Sequence, residues 1–290
     1  MKPVFILFNG YGTSKILWEY KLVSHNKIEK INFIKKLQEI GDVYTFNYKF
    51  FNFNYYYKGT SKEEKKINKL LNKKYDMYSK DIYFKIEDLD FKNICSQVYQ
   101  DVIIKHGMGR KYIVVGHSFG CYIGSLFSKL FKNDCILNIC IDNAPFIERV
   151  IKEQINSEEG KKEKTIVRKY FKTNKELTDI LTKVTKSSDP NKYIKLLFDL
   201  IGYYAEQNKL KYFSNKMSVN TVFFKVFTTD PKTKAQKDWN RWLLQEKEQN
   251  QKNNTKFIIF LDADHYVWND KNYCDGIVEE IINQLRKFFS

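Results

Sequence analysis

Six short, largely apolar runs punctuate the chain, at 4–8, 43–48, 112–115, 136–141, 221–227 and 257–261. Continuous rather than alternating apolarity over such lengths predicts strands covered on both faces, as in a parallel sheet. Stretches with a helical period lie between and after them. Asp90 can cap a helix carrying Ile94, Val98 and Val102 on one face and stopping at Gly107 and Gly109. Ile123, Phe127, Leu130 and Phe131 mark a second helix directly after the third run. Ile277, Ile281, Leu285 and Phe288 form the apolar stripe of a third, at the C-terminus. Strands alternating with helices predict an α/β sandwich around a mostly parallel sheet of about six strands.

Two segments break the alternation. Residues 50–87, dense in Lys, Tyr and Asn, read as an insertion. Residues 144–218 are longer and helical in pattern, with Ile194, Leu197, Phe198, Ile201 and Tyr204 at helical spacing. An excursion of that length between two sheet strands has to sit outside the sheet, as a cap. The expected organisation is a core of 1–143 and 219–290, interrupted by a helical cap at 144–218. No internal repeat at a solenoid period is present.

Composition modifies this picture only slightly. The chain has 290 residues, 43% hydrophobic and 16% aromatic, which is enough for a sizeable core and excludes wholesale disorder. The apolar stretch after Met1 is too short, with no small-residue cleavage site behind it, for a secretory signal. Five cysteines, an odd number without CxxC spacing, argue against a disulfide framework and a structural zinc site. These features together lead us to expect a soluble, cytoplasmic protein. The net charge of +16 comes almost entirely from Lys, alongside abundant Asn, Ile, Phe and Tyr. That usage matches an AT-rich coding sequence, and net charge by itself says little about function. Glu63, Glu64, Asp76 and Asp81 interrupt the Lys-rich insertion, so a solvated face fits it better than a nucleic-acid surface, despite Tyr55, Tyr56 and Tyr57. An anionic membrane surface stays open as an alternative partner.

The sharpest chemical signal is Gly116-His117-Ser118-Phe119-Gly120. At this content of Gly and Ser, chance supplies such a match with an expectation of about 2%, so the pattern alone is only suggestive. Its context adds weight, because a buried strand enters it and an amphipathic helix leaves it. Glycines on either side let a serine occupy a tight strand-to-helix turn where Cβ atoms would collide with backbone. No phosphate-cradling or dinucleotide glycine motif and no HExxH occurs, so no cofactor or metal is expected.

With these residues in place, the chain resembles the α/β-hydrolases, Ser118 standing at the nucleophile elbow. The resemblance covers most of the chain outside the two insertions and lacks the family's first two antiparallel strands. It implies an acid and then a histidine downstream of the serine, each following a strand. His265, in Asp262-Ala263-Asp264-His265, is the histidine that follows Ser118; His25, His106 and His117 do not. For the acid the resemblance favours Asp230, in Thr228-Thr229-Asp230-Pro231, with Asp142 as the alternative one strand earlier. Asp264 is too near His265 in sequence to reach the far side of its ring easily. Asn9-Gly10-Tyr11-Gly12 resembles the family's oxyanion turn, with Asn9 in place of the usual His. The amides of Tyr11 and Phe119 would then form the oxyanion hole.

The resemblance thus implies a serine hydrolase acting on an ester, thioester or amide carbonyl. Gly10, His117, Leu197, Phe198 and Ile201 are expected to face the substrate, a small and partly apolar acyl compound. The cap stripe can equally be mere packing, since periodicity reports burial and not what lies opposite. Cys121, just past the elbow, is expected to be packing. An Asp nucleophile, as in the epoxide-hydrolase and dehalogenase branches, is excluded by the serine. The rival readings are a catalytically silent binding protein on this fold and a basic protein that binds nucleic acid or anionic lipid.

Overall fold

The computed structural model describes residues 2–10, 15–24, 27–46, 66–67, 69–70, 91–143, 161, 165, 219–250 and 255–290. The expected cap at 144–218 and most of the insertion at 50–87 lie outside the described residues. The expected helix cap Asp90 does so too.

Six strands form one parallel sheet: β1 (Val4–Phe8), β4 (Asp42–Thr45), β5 (Tyr112–His117), β6 (Cys135–Ile141), β7 (Asn220–Phe227) and β8 (Thr255–Leu261). Their spatial order is β4-β1-β5-β6-β7-β8, so the chain starts inside the sheet, steps out to one edge and then fills the other side. The strand that follows β5 in the chain is its direct neighbour, with His117 opposite Ile141. This register brings the C-terminal ends of β5 and β6 together.

Burial divides the strands. Every residue of β1, β5 and β6 is buried, as continuous apolar runs require. The edge strands β4 and β8 are mostly half-buried, contrary to the expectation that all six runs are covered on both faces. An edge strand has only one neighbour, so it keeps part of its surface open.

Helices cover the two faces. On one, α1 (Phe33–Ile40) and α5 (Lys271–Phe289) pack over Phe5, Leu7, Ile113, Val115 and Phe224. In α5 the predicted stripe buries Ile277, Ile281 and Leu285, while Phe288 is exposed at the frayed end. Trp18 and Trp268 lie in the same cluster with ring centroids 4.4 Å apart, a contact worth about 0.5–1.5 kcal/mol beyond the area it buries. On the other face, α2 (Phe91–His106) turns Ile94, Val98 and Val102 inward and ends at Gly107 and Gly109. Both glycines have left-handed backbone, φ 85° and 76°, where a Cβ would be strained. Beside it, α3 (Gly120–Leu130) rises directly from the elbow, and Tyr99 of α2 stacks on Phe131 at 3.9 Å.

Three elements escape the periodicity argument. A small antiparallel ribbon, β2 (Tyr20–Ser24) with β3 (Lys27–Lys30), precedes α1. Its alternation is masked by Lys and Glu on exposed positions. The third is α4 (Lys234–Asn250), which carries so much charge that its few inward residues, Trp242, Leu243 and Glu246 among them, form no obvious stripe. Residues 66–67 and 69–70 are helical, and Ile67 packs against Ile16 and Leu17. All five cysteines are buried free thiols. Among the described residues no helix is long and apolar enough to cross a membrane.

Candidate active site

The elbow follows from the glycines around it. A Cβ on Gly116 would lie 2.6 Å from the Cys121 Cα, and one on Gly120 would lie 2.1 Å from the Phe8 carbonyl oxygen. Both contacts are with backbone, which cannot give way, so only glycine lets β5 and α3 meet at this angle. Ser118 is left between them with φ 49°, a left-handed conformation unusual for a non-glycine residue. Its N–H donates to the Ile141 carbonyl at 2.9 Å, and its own carbonyl accepts from the Cys121 N–H at 3.2 Å. Cys121 itself is buried against the Ile141 carbonyl, and burial, followed by its contact with Cys140, pushes its thiol pKa well up. Such a thiol is packing rather than a nucleophile.

Asn9 and Gly10 bring the β1 end to the serine. Asn9 is buried, donates Nδ2 to the Phe46 carbonyl at 2.6 Å and accepts from Trp18 Nε1 at 2.5 Å. Gly10 sits so close to the elbow that a Cβ there would be 3.2 Å from Ser118 Cβ and 2.9 Å from His117 Nδ1. Tyr11, the expected first oxyanion donor, lies outside the described residues, as do Leu197, Phe198 and Ile201. Phe119 is at the elbow as expected, at the N-terminus of α3.

The histidine and its acid meet across the sheet end. His265 Nδ1 lies 2.6 Å from Asp142 Oδ2. A carboxylate only accepts, so Nδ1 carries a hydrogen, and the tautomer protonated there alone presents a bare Nε2. The second oxygen of Asp142 accepts the Val226 N–H at 3.2 Å. The Asp142 side chain is 4% exposed. Asp230, favoured on the sequence, is not at this site: its side chain is 75% exposed and paired with Lys232 two residues on. The acid beside His265 is therefore at the end of β6, where φ 42° at Asp142 turns the carboxylate toward the ring. Asp264 instead accepts the Tyr266 N–H at 3.0 Å and shapes the His265 loop.

His117 requires a second correction. It is buried rather than open to a substrate, with its ring between His265 and Trp268 at 4.5 Å from each. Its Nε2 lies 3.2 Å from the His265 carbonyl, which accepts, so Nε2 is the protonated nitrogen. Burial, assisted by the neighbouring His265, holds the pKa of His117 well below the ordinary value, and the ring is neutral. It braces the main chain of His265.

A third loop joins the group. Asp262, φ 53°, accepts from the Thr229 amide at 2.8 Å and the Thr229 hydroxyl at 2.5 Å, linking the β7 and β8 exits. Ser118, Asp142 and Asp262 are the non-glycine residues with left-handed backbone among those described. Each follows, or all but follows, the C-terminal end of a parallel strand. Strain of this kind gathers where side chains are being aimed.

Comparison with solved structures agrees with the fold. A carboxylesterase of the ammonia-oxidizing thaumarchaeon Nitrososphaera gargenis superposes with a TM-score of 0.53 at 11% identity, covering 99% of this chain and 92% of that one. An esterase of Pyrococcus furiosus scores 0.47 at 12% identity, covering 99% and 82%. A mutant epoxide hydrolase from Bacillus megaterium scores 0.49 at 12% identity, covering 99% and 94%. No protein-family model and no curated protein matches the chain. Strand order, elbow and the carboxylesterase superposition agree on one conclusion: this chain has the α/β-hydrolase fold.

Proposed function

We propose that the protein is a serine hydrolase that cleaves a carboxylic ester, thioester or amide through an acyl-enzyme. The observation carrying this reading is the 2.6 Å contact of His265 Nδ1 with the buried Asp142 carboxylate, in a molecule whose elbow serine has left-handed backbone. Ser118 Oγ attacks the carbonyl while His265 Nε2 takes its proton. Asp142 keeps the ring in the tautomer that leaves Nε2 free and offsets the positive charge that develops on it. Main-chain N–H groups of Phe119 and Tyr11 receive the developing oxyanion. His265 then returns the proton to the leaving group, and an activated water releases the acid. A partly apolar acyl substrate is the class we assign, with Leu197, Phe198 and Ile201 of the cap as its contacts. A side chain at Gly10 would crowd the serine, since a Cβ there would lie 3.2 Å from the Ser118 Cβ.

Labelling with a fluorophosphonate tests the nucleophile, and nitrophenyl esters of graded chain length test the substrate class. Ser118→Ala should lose all labelling and lower kcat by several orders of magnitude, about 10⁶ in a well-studied serine protease. The melting temperature should hardly move, because only one oxygen is removed from a turn. Equal labelling of wild type and variant sinks the assignment. A folded wild type that neither labels nor hydrolyses any ester is instead a binding protein on this fold.

A further inference from the structure

Lys225 interrupts the apolar run of β7, yet its side chain is only 1% exposed and forms an ion pair at 2.6 Å with Glu246 of α4, itself 0% exposed. Removing two charges from water is costly, and apolar side chains of similar volume often serve stability as well or better. Stability therefore does not account for the pair. Its other bonds do. Lys225 Nζ donates to the main-chain carbonyl of Asn143 at 2.7 Å, and Asn143 Nδ2 donates to Glu246 Oε1 at 3.2 Å. Asn143 is also fully buried.

Asn143 directly follows Asp142. Lys225 thus holds the main-chain carbonyl, and Glu246 the side chain, of the residue that follows the carboxylate facing His265. Asp142 has φ 42°, which a non-glycine residue keeps only when its surroundings over-determine it. The second anchor of Asp142, the Val226 N–H, belongs to the residue after Lys225. One strand segment therefore holds the acid through its main chain and the carbonyl of the next residue through its lysine.

We propose that the Lys225–Glu246 ion pair, acting through Asn143, is the positioning device that holds the Asp142 carboxylate on His265. Lys225, Glu246 and Asn143 are positioning residues: they bind the acid's loop and not the substrate. The proposal rests on the serine-hydrolase reading for its kinetic consequence alone.

The test is the double variant Lys225→Met with Glu246→Leu, which removes both charges together and leaves no lone buried ion. Three quantities are measured: the thermal melt, kcat and KM on a short nitrophenyl ester, and the far-downfield proton resonance of the His265–Asp142 bond. That resonance is assigned by its loss in Asp142→Asn. The expected result is an equal or higher melting temperature, an unchanged KM, a kcat lower by about 100-fold and a lost or shifted downfield line. A folded double variant with unchanged kcat and line overturns the proposal. If the double variant fails to fold, Asn143→Ala decides, because it leaves the ion pair and the bond to the main chain intact. A smaller kcat loss with a weakened line supports the proposal, and no change in either overturns it. Should wild type hydrolyse nothing while its downfield line is present and disappears in the double variant, the hydrolase reading fails and the positioning role stands.

Discussion

The turns after β6 and β7 end neighbouring parallel strands, and each offers an aspartate. After β6, Asp142 is enclosed by the Val226 amide, the His265 ring and the peptide that Lys225 grips. After β7, Asp230 projects into solvent with Lys232 as its partner. The residue type is the same, though Asp142 directly follows its strand and Asp230 comes three residues after its own. What differs is whether the surrounding chain supplies fixed donors. The exposed Asp230–Lys232 pair is screened by water, whereas the Asp142 carboxylate is buried and held in one orientation by fixed donors.

The largest effect that can break this contrast comes from exchanging each carboxylate for an amide. Asp142→Asn should lower kcat/KM by about 10⁴-fold, since the ring loses both its tautomer and its charge partner. Asp230→Asn should leave it within about twofold, because exposed ion pairs of this kind contribute little. Steady-state kinetics on one ester measures both, and the opposite ranking would return the acid to β7.

A smaller effect is expected at His117, which supports the other side of His265. His117→Phe keeps the ring volume but loses the bond to the His265 carbonyl, so kcat should fall by about 10- to 100-fold as the imidazole shifts. The same substitution changes the pH response of stability. The His117 pKa in the folded protein lies well below the 6.5 it has when exposed. Below pH 6.5 the unfolded chain takes up a proton that the folded one refuses, so stability present above that pH is lost as the pH falls. Chemical denaturation of wild type from pH 7.5 to 5 should show this decline, and His117→Phe should flatten it. An unaltered slope in the variant would mean that His117 is protonated in the folded state.

The smallest effect sharpens the comparison from the exposed side. Asp262→Ala cuts the tie between the β7 and β8 exits, but His265 keeps both Asp142 and His117. Activity should drop only a few-fold, by far less than in Asp142→Asn. Thr229 hydrogen bonds hold the Asp262 carboxyl below its usual range, so whatever stability it contributes is present above pH 3.8 and fades as the pH falls. A loss on the scale of Asp142→Asn would show that the β7 exit does govern the histidine after all.

The sheet and the serine could be read from the sequence because both depend on local pattern. The runs at 4–8, 112–115 and 136–141 lie in strands buried on both sides, and Gly116 and Gly120 announce a turn that no other residue can make. Chain order singles out His265 as the candidate histidine. The carboxylate beside it is not legible there, because its placement depends on an amide 84 residues away and on a buried lysine that looks like an interruption in a strand. His117 misled for a related reason: its place next to the serine suggested the substrate, while Trp18 and Trp268, far apart in the chain, close over it. The charged α4 was passed over because burial of Glu246 leaves no apolar mark in a sequence.

With the carboxylate that contacts His265 at the end of β6, the exit of β7 is spared that duty. Residues 230–232 bear a solvent-exposed ion pair and no bond to the histidine. On the proposed mechanism that short stretch is neutral ground: it can lengthen, shorten or acquire a new binding loop while the Asp142–His265 contact one strand away stays intact. For a protein engineer it marks a graft point within one strand of the proposed catalytic residues.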